Sequence, residues 1–525
     1  MIKPDRKGIA AIPWYILMPV ILAGTGVLVP LIYLLIRALE ADAEALTTIV
    51  FRRRTLTLFL NTVALTAGVL LVTTILALPL AWLTTRSDIR WKKLFTLLGI
   101  LPLAIPSYVM AYALLGMSGA TGTFAELFGI IIPRPSGYWG SLLALTLYLT
   151  PYLFINIRAA LLGIDPALEE TAQSFGYKPR QVFVKTVLPQ LRPALYSGGL
   201  LVALHVLGDF GAVSLMRYET FSYALFLQYT AAFDRIYAAW LAIFLILMTI
   251  SLLFVDARLL RGLRLSRAGR GASKHTRIVP LGRWKFTAYG FLSGLAFISL
   301  IAPIGTILFW LISNPEALRF SGLLSALGGS LSVSVPSAVL AALLALPLAY
   351  LGVRYPSTIS RALERVAYVG YAIPPLAFAL SLIFFSLQAA PFLYQTLLIL
   401  IYAFTLHYLA EAMGPIRSAL YQAPPQIEEA ARSFGYHPFM AFFKATLPLL
   451  RKGLIASMAF VFLSAMKELP LTFLLSPIGF ETLALNVWSF TIEAMFAEAA
   501  PFALGIVVVS AMFVILLLRQ ERTQL

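Results

Sequence analysis

Charged side chains interrupt two apolar stretches of this 525-residue chain. His205 and Asp209 lie four residues apart in the first stretch, so a helix would place both on one face. Ser464, Lys467 and Glu468 lie in the second stretch. Charged groups are costly inside a membrane and mark functional sites by default. Carboxylate oxygens suit hard cations, which makes Asp209 and Glu468 candidate transient metal ligands.

A structural role for these side chains stays open. Asp209 can form an ion pair with His205, and Glu468 with the lysine beside it, and either pair would brace helices. Another pair four residues apart, His407 and Glu411, lies near the inner end of a different apolar run. We interpret that pair as helix-bracing rather than as ligands.

The composition is that of a membrane protein. Apolar residues make up 60% of the chain and charged residues 12%, with a mean hydropathy of +0.87. Because a bilayer core needs about 20 apolar residues per helical crossing, we predict an all-α polytopic fold with about twelve transmembrane helices. The predicted spans lie near residues 14–37, 58–84, 94–116, 138–158, 194–216, 236–255, 287–312, 329–352, 366–388, 391–413, 453–475 and 500–518. The first run is too long for a signal-peptide core and is predicted to be retained.

The net charge of +17 reflects membrane topology rather than nucleic-acid binding. With the N-terminus in the cytoplasm, most Lys and Arg fall on the cytoplasmic side, as the positive-inside rule requires. We therefore expect both termini in the cytoplasm, contact with membrane lipid and no nucleic-acid partner. Arg52, Arg53 and Arg54 fall on the outer side, and the sequence offers no role for them. The chain has no cysteine, which excludes disulfides and thiolate metal sites.

An internal repeat divides the chain into two similar halves. The segment EETAQSFGYKPRQVFVKTVLPQLRP at 169–193 recurs as EEAARSFGYHPFMAFFKATLPLLRK at 428–452, with 14 of 25 positions identical. The offset of 259 residues continues downstream. We predict six helices in residues 1–257, a basic cytoplasmic linker at 258–285 and six helices in 286–525. Two such halves have the same orientation and are related by an axis along the membrane normal.

The repeated segments form two cytoplasmic loops, here called the first repeat loop (165–193) and the second repeat loop (424–452). In each, prolines, acidic residues and a glycine predict two short helices separated by a left-handed turn. Both copies keep Ser-Phe-Gly-Tyr, including an apolar Phe that a partner's groove could bury. We predict a docking surface, with a plain structural connector as the alternative. The predicted contact residues are Glu169, Glu170, Ser174, Phe175, Gly176, Tyr177, Glu428, Glu429, Ser433, Phe434, Gly435 and Tyr436.

The repeat loops resemble the EAA loop of inner-membrane subunits of binding-protein-dependent ABC importers. That pattern runs Glu-Ala-Ala, three residues, Gly, nine residues, Ile, one residue, Leu-Pro. The chain supplies Glu170-Thr171-Ala172, Gly176 and Leu188-Pro189 in the first copy, and Glu429-Ala430-Ala431, Gly435 and Leu447-Pro448 in the second. Both copies depart from the pattern at the Ile position, which is Thr186 and Ala445.

This resemblance implies a type I importer fold and a non-enzymatic channel subunit. Each repeat loop would insert a helix into a homodimeric cytoplasmic ATPase that binds ATP and Mg²⁺, and an external binding protein would deliver the substrate. The chain contains no Gly-Lys dipeptide and hence no Walker-type phosphate loop, and no cofactor of its own is expected. The expected location is the bacterial inner membrane, with His205, Asp209, Ser464, Lys467 and Glu468 on the translocation path.

The substrate prediction depends on a further resemblance, to the fused permeases of bacterial ferric-iron importers. It is carried by Gly208-Asp209-Phe210-Gly211, Glu219-Thr220-Phe221, Lys467-Glu468-Leu469-Pro470 and Gly479-Phe480-Glu481-Thr482-Leu483-Ala484. Ferric iron is the predicted substrate, with thiamine, polyamine or phosphonate as alternatives within the same class. A secondary transporter with two parallel repeats would not need docking loops. A membrane-embedded enzyme is disfavoured, because the chain lacks H-E-x-x-H and G-x-S-x-G motifs.

Overall fold

The computed structural model describes residues 14–42, 44, 46–232, 234–260, 278–317 and 320–522. Within these residues the chain is helical, and its only β feature is an isolated bridge between Ser87 and Val279. The all-α class predicted from the composition is therefore confirmed.

Long apolar helices dominate the described residues. Nine are long enough to cross a membrane by themselves: Ile16–Leu39, Arg53–Arg86, Gly137–Gly163, Pro179–Gly208, Arg235–Leu260, Gly282–Ser313, Phe320–Arg354, Pro438–Met466 and Phe496–Ile515. Three bent pairs can add one crossing each: Lys92–Ala104 with Ser107–Gly116, Leu363–Ala372 with Pro375–Ala389, and Leu397–His407 with Leu409–Gln422. The described chain thus holds up to twelve crossings, in agreement with the predicted number.

Shorter elements connect these crossings or form irregular turns and end segments within them. The short α-helices are Thr123–Phe128, Pro166–Ser174, Pro179–Val182, Gly211–Leu215, Phe221–Thr230, Pro425–Ser433, Pro438–Ala441, Pro470–Leu475 and Leu483–Ile492. Turns of 3₁₀-helix lie at Leu101–Ala104, Gly282–Trp284, Pro315–Ala317 and Pro391–Leu393, and π-turns at Leu46–Val50, Phe183–Val187, Phe297–Ile301 and Phe442–Thr446. The π-turns that begin at Phe183 and Phe442 occupy matching positions of the two repeat loops. The duplication therefore extends to irregular features of the backbone.

Proline accounts for the sharp bend in the third crossing of each half. In the first half, Lys92–Ala104 meets Ser107–Gly116 at 97°. Pro106 lies at this bend with an extended backbone (ψ 159°), and its ring and missing N–H prevent the first helix from continuing through it. The repeat-related bend at Pro374 measures 107°. The sequence predicts continuous helices here, and that expectation is wrong at the two bends.

The fifth crossing of each half also ends earlier than predicted. The helix Leu188–Gly208 stops at Asp209, whose backbone is extended (φ −69°, ψ 127°). In the second half, Leu447–Met466 stops before Pro470. Because Pro470 has no N–H, it cannot continue that helix, but it suits the first position of the next one. The continuous spans predicted at these places are therefore wrong, and each break lies beside a carboxylate.

The first helix of each half packs against the other half. Trp14–Leu39 lies along Pro375–Ala389, and the Tyr402 hydroxyl donates a hydrogen bond to the Gly26 carbonyl oxygen (3.1 Å). The N-terminal helix is thus part of the wall of the second half.

The reciprocal contact is made by Ala302–Ser313, which packs against Ser107–Gly116 of the first half. Trp310 Nε1 donates to the Gly116 carbonyl oxygen across this contact (3.1 Å). The predicted boundaries between the halves therefore describe the sequence repeat, while the packed halves share one interior.

The end of the predicted linker (258–285) is fastened to the first half. Residues 261–277 of that linker lie outside the described residues. The backbone N–H of Leu281 donates to Asp88 Oδ1 (3.0 Å), and Lys285 Nζ lies 2.7 Å from Asp88 Oδ2. The hydrogen bond from Lys285 lowers the pKa of Asp88, so this carboxylate stays ionised at neutral pH. The second half thus begins at a fixed contact with the loop after the second crossing.

Two of the three arginines at 52–54 contact neighbouring side chains. The Arg52 guanidinium lies over the Tyr237 ring, 4.6 Å from its centroid. Arg54 Nη2 lies 3.4 Å from Glu219 Oε2. These contacts tie the start of the second crossing to the sixth crossing, which contains Tyr237, and to the segment before it, which contains Glu219. Both arginines thus have a structural role that the sequence does not reveal.

Candidate functional site

The helix breaks surround one cavity between the two halves, here called the central cavity. It encloses about 160 Å³. Its wall contains Pro106, Ser107, Tyr108, Tyr148, Tyr152, Leu201, Leu204, His205, Gly208, Asp209, Phe210, Gly211, Tyr371, Pro375, His407, Tyr408, Glu411, Ser464, Lys467, Glu468, Leu469 and Pro470. The structure therefore brings together all five of the polar side chains that the sequence selects in the two interrupted apolar stretches.

Asp209 enters the central cavity from the break after the helix Leu188–Gly208. Its Oδ1 accepts hydrogen bonds from the backbone N–H groups of Ala212 (3.0 Å) and Val213 (3.2 Å), and its Oδ2 accepts one from the Ser107 hydroxyl. The backbone donors lie in the first turn of the short helix that follows. Asp209 therefore caps that helix, whose free N–H groups stabilise the negative charge.

Glu468 occupies the equivalent position in the second half. Its Oε1 accepts from the backbone N–H of Leu471 (3.2 Å), in the first turn of Pro470–Leu475. Its Oε2 accepts from the Tyr408 hydroxyl (2.5 Å). The repeat thus places a carboxylate at the start of a short helix on each side of the central cavity.

Neither of the two ion pairs considered from the sequence, His205 with Asp209 and Lys467 with Glu468, forms among the described residues. His205 Nδ1 contacts the Leu201 carbonyl oxygen (2.8 Å) instead. The His205 ring lies against the Tyr152 ring of the fourth crossing, with centroids 4.6 Å apart. The described geometry therefore does not contain the bracing pairs that the structural interpretation requires.

Glu411 and His407 line the central cavity as well, although the sequence favours a purely bracing role for them. Glu411 Oε2 accepts a hydrogen bond from the Ser464 hydroxyl (2.7 Å). His407 Nδ1 lies 3.0 Å from the Gly370 carbonyl oxygen. Glu411 therefore does two things: it links two helices, and it adds a third carboxylate to the cavity wall.

Tyrosines form much of the remaining wall, and they are not among the residues that the sequence selects. They are Tyr108, Tyr148, Tyr152, Tyr371 and Tyr408. The repeat offset contains a signal for part of this set, because it aligns Tyr148 with His407 and Tyr152 with Glu411. The contact between His205 and Tyr152 corresponds to the hydrogen bond between Ser464 and Glu411 in the other half. Polar and aromatic residues at matched positions of the two repeats therefore mark the wall.

An aromatic cluster borders the central cavity next to Asp209, beyond the end of the helix Leu188–Gly208 that is farther from the first repeat loop. Phe210 packs against Phe226, Trp488 and Phe473, with ring centroids 4.6, 5.5 and 6.2 Å away. Trp488 Nε1 donates to Ser214 Oγ (3.0 Å). Two of the four rings come from each half, so the cluster is also a contact between the halves.

The wall of the central cavity is not a preassembled metal centre. No group of three or more His, Asp or Glu side chains in the described ranges is arranged to hold a metal ion. Each cavity carboxylate is instead hydrogen-bonded to a protein donor. Oxygens spread over a wall suit a passing ion, since transport needs sites that the ion can leave.

The repeat loops have the predicted local form. Asp165 Oδ1 accepts from the Ala167 N–H (3.0 Å) and so caps the helix Pro166–Ser174. Gly176 follows that helix with φ +83°, and Gly435 has φ +89° in the second copy. This left-handed conformation is costly for a residue with a Cβ atom. The two glycines therefore fix the turn between the short helices of each loop.

Aromatic side chains project from both repeat loops. Phe175 and Phe434 are 78% and 83% exposed. The Lys185 ammonium group lies over the Tyr177 ring, 5.0 Å from its centroid. In the second loop, Lys444 lies over the Tyr436 ring in the same way, at 4.7 Å. The exposed members of the predicted docking set are Glu170, Ser174, Phe175, Gly176, Tyr177, Glu429, Ser433, Phe434, Gly435 and Tyr436.

Glu169 and Glu428, by contrast, face the membrane helices. Glu169 is 8% exposed, and its Oε1 lies 2.9 Å from Arg86 Nη1. Glu428 accepts hydrogen bonds from the hydroxyls of Tyr350 (2.7 Å) and Thr446 (2.9 Å). Both glutamates therefore fasten a repeat loop to the helix bundle, a role that the sequence does not predict.

Comparison with known proteins gives the same family for both halves. Residues 73–265 and 337–522 match the family described as binding-protein-dependent transport system inner membrane component. The Fe(3+)-transport system permease protein FbpB 2 of Haemophilus influenzae is 34% identical over 509 residues, which cover 96% of this chain and 98% of that protein. The ferric transport system permease protein FbpB of Actinobacillus pleuropneumoniae is 25% identical over 77% of this chain and 62% of its own length. The molybdenum transport system permease protein ModB of Mycobacterium bovis is 32% identical over 38% of this chain and 75% of its own length.

We expect Glu169→Gln to destabilise the protein by on the order of 3 kcal/mol, because it leaves Arg86 buried without its ionic partner. Thermal unfolding of the purified chain measures the loss as a lower midpoint. Glu170→Gln changes the next, exposed glutamate and is the matched control, with an unchanged midpoint. Equal midpoints for the two variants would contradict the fastening role of Glu169.

Proposed function

Because the chain belongs to the family of binding-protein-dependent transport system inner membrane components, we propose that it is the channel subunit of an ATP-driven importer of ferric iron. The family match covers both halves, so each half is one permease repeat. The chain is accordingly a transport subunit of the inner membrane and not an enzyme. Its substrate, its orientation and the composition of its ATPase partner are parts of the proposal.

The central cavity is the observation that carries the substrate assignment. Its wall combines the carboxylates of Asp209, Glu411 and Glu468 with hydroxyl and phenol oxygens from both halves. Such oxygen donors suit hard cations such as Fe³⁺, and the chain contains no cysteine that would favour soft ions. The relative that matches the full length of the chain is named for Fe(3+) transport, which supports the same substrate.

The repeat loops supply two matched docking sites for the proposed ATPase. Phe175 and Phe434 are exposed at equivalent positions, and exposed aromatic side chains of this kind serve as anchors in partner pockets. Two equal anchors fit two identical ATPase subunits, one for each loop. ATP and Mg²⁺ would bind to those subunits, because the chain has no Walker-type phosphate loop.

The proposed cytoplasmic face is the one that carries the repeat loops. Glu169 of the first repeat loop contacts Arg86, and Leu281 at the end of the linker contacts Asp88, so loop and linker lie at the same end of the molecule. Placing this basic face in the cytoplasm satisfies the positive-inside rule. An even number of crossings then puts both termini on that side. A loaded binding protein would approach the opposite face, on whose side of the cavity the aromatic cluster lies.

Replacing both anchors, Phe175→Ala with Phe434→Ala, should uncouple ATP hydrolysis from uptake, because each ATPase subunit loses its main apolar contact. We expect stimulation of hydrolysis by the loaded binding protein to fall about tenfold, measured on the reconstituted complex. Phe286→Ala is the matched control, since Phe286 is 86% exposed and lies outside the loops but at the same end of the molecule, next to Lys285. Full stimulation in the double variant would mean that the loops are connectors only.

The double change Asp209→Asn with Glu468→Gln tests the proposed path. Asn caps a helix almost as well as Asp, and Gln can still accept a backbone hydrogen bond, so the fold should persist while two negative charges leave the wall. We expect ferric uptake per assembled complex to fall about tenfold or more. The measurement uses proteoliposomes that contain the chain, its ATPase and the loaded binding protein.

Glu493→Gln, which changes an exposed carboxylate outside the central cavity, is the control for this experiment. Parent-level uptake per complex in the double variant would exclude Asp209 and Glu468 from the path. A parent complex that assembles and hydrolyses ATP but takes up no ferric iron would reject iron as the substrate.

A further inference from the structure

One lysine side chain lies among the carboxylates of the central cavity. Lys467 lines the cavity together with Asp209, Glu411 and Glu468, and it is close enough to Glu411 and Glu468 to interact electrostatically with both. The repeat offset aligns Lys467 with Gly208, so only the second half supplies this charge. Three carboxylates and one ammonium group therefore share the cavity wall.

The backbone of Lys467 is held in place, whereas its ammonium group is not locked to a partner. The Lys467 carbonyl oxygen accepts a hydrogen bond from the Tyr108 hydroxyl (3.2 Å). Among the described residues, none forms a hydrogen bond or a close ion pair with its ammonium group. Glu411 and Glu468 already accept hydrogen bonds from other side chains. The ammonium group therefore balances their charge without being fixed to either carboxylate.

An ammonium group in this position affects a cationic cargo in two ways. In the empty cavity it offsets part of the negative charge, which is costly to keep inside a membrane. When a cation enters, two positive charges compete for the same carboxylates, so the cargo is held less tightly. Transport needs binding that is favourable enough for entry and weak enough for release.

The choice of lysine fits such a competing role. Its ammonium group is a compact charge on a flexible stem, whereas the planar guanidinium group of arginine binds a carboxylate through two parallel hydrogen bonds. A lysine can therefore move aside when a cargo arrives, and an arginine at the same place would hold one carboxylate in a fixed geometry.

We infer that Lys467 is the resident counter-ion of the central cavity and that it sets how readily the cargo leaves by competing for Glu411 and Glu468. This inference rests on the proposed function, because it requires a cationic cargo. Without the ammonium group, the cavity would bind a trivalent cation more tightly and release it more slowly.

Lys467→Met tests the inference, because it removes the charge and keeps the length of the side chain. The purified complex of this variant, incubated with ferric citrate and then desalted, should retain about tenfold more iron than the parent complex. Uptake from the iron-loaded binding protein should be slowed by a similar factor. Lys93→Met, which changes an exposed lysine outside both the central cavity and the repeat loops, should change neither quantity.

Lys467→Gln provides a second variant that keeps a polar group, and thermal unfolding of both complexes shows whether they assemble as well as the parent. Unchanged iron retention in the assembled variants would overturn the inference. Lower retention would overturn it as well, because the ammonium group would then attract an anion that travels with the metal. A parent complex that takes up no ferric iron would instead reject the proposed function, so the two failures are distinguishable.

Discussion

A charged side chain inside a membrane needs polar partners, and this constraint shapes the whole interior of the protein. Asp209 and Glu468 satisfy it at helix breaks, where Asp209 accepts hydrogen bonds from two backbone N–H groups, and Glu468 from one, at the start of a short helix. An unbroken helix would pair those N–H groups internally and leave the carboxylates without these donors. The same breaks open the space of the central cavity, which lies where the two halves meet. The packing of the halves and the position of the polar wall therefore have a common physical origin.

Duplication places the central cavity between the halves, and divergence of the repeats gives it its chemistry. Tyr152 in the first half aligns with Glu411 in the second, and Gly208 aligns with Lys467. The first half thus contributes more aromatic surface and the second half more charge. Two identical halves would present each group twice, whereas the unequal halves combine three carboxylates with a single competing cation. The cavity wall is therefore asymmetric although the helices that build it are repeated.

Local chemistry made some features predictable, and distant contacts hid others. The cap at Asp165 and the left-handed turn at Gly176 depend on adjacent residues, so the sequence indicates the form of the repeat loops correctly. The helix breaks are missed because hydropathy is averaged over about 20 residues. A break of two or three residues hardly changes that average. Pro106 is the local signal for the break in the third crossing of the first half. The fastening role of Glu169 depends on Arg86, which is far away in sequence, and no local pattern reports such a contact.

The natural absence of cysteine permits a direct test of the central cavity as the transport path. Ser464→Cys places one thiol in the cavity wall, and Ser313→Cys places a matched thiol at an exposed helix end. A bulky maleimide applied during ATP-driven turnover should stop ferric uptake in proportion to labelling at position 464, while the same adduct at position 313 should leave uptake unchanged. Full uptake by complexes that are completely labelled at position 464 would contradict the claim that the substrate passes through this cavity.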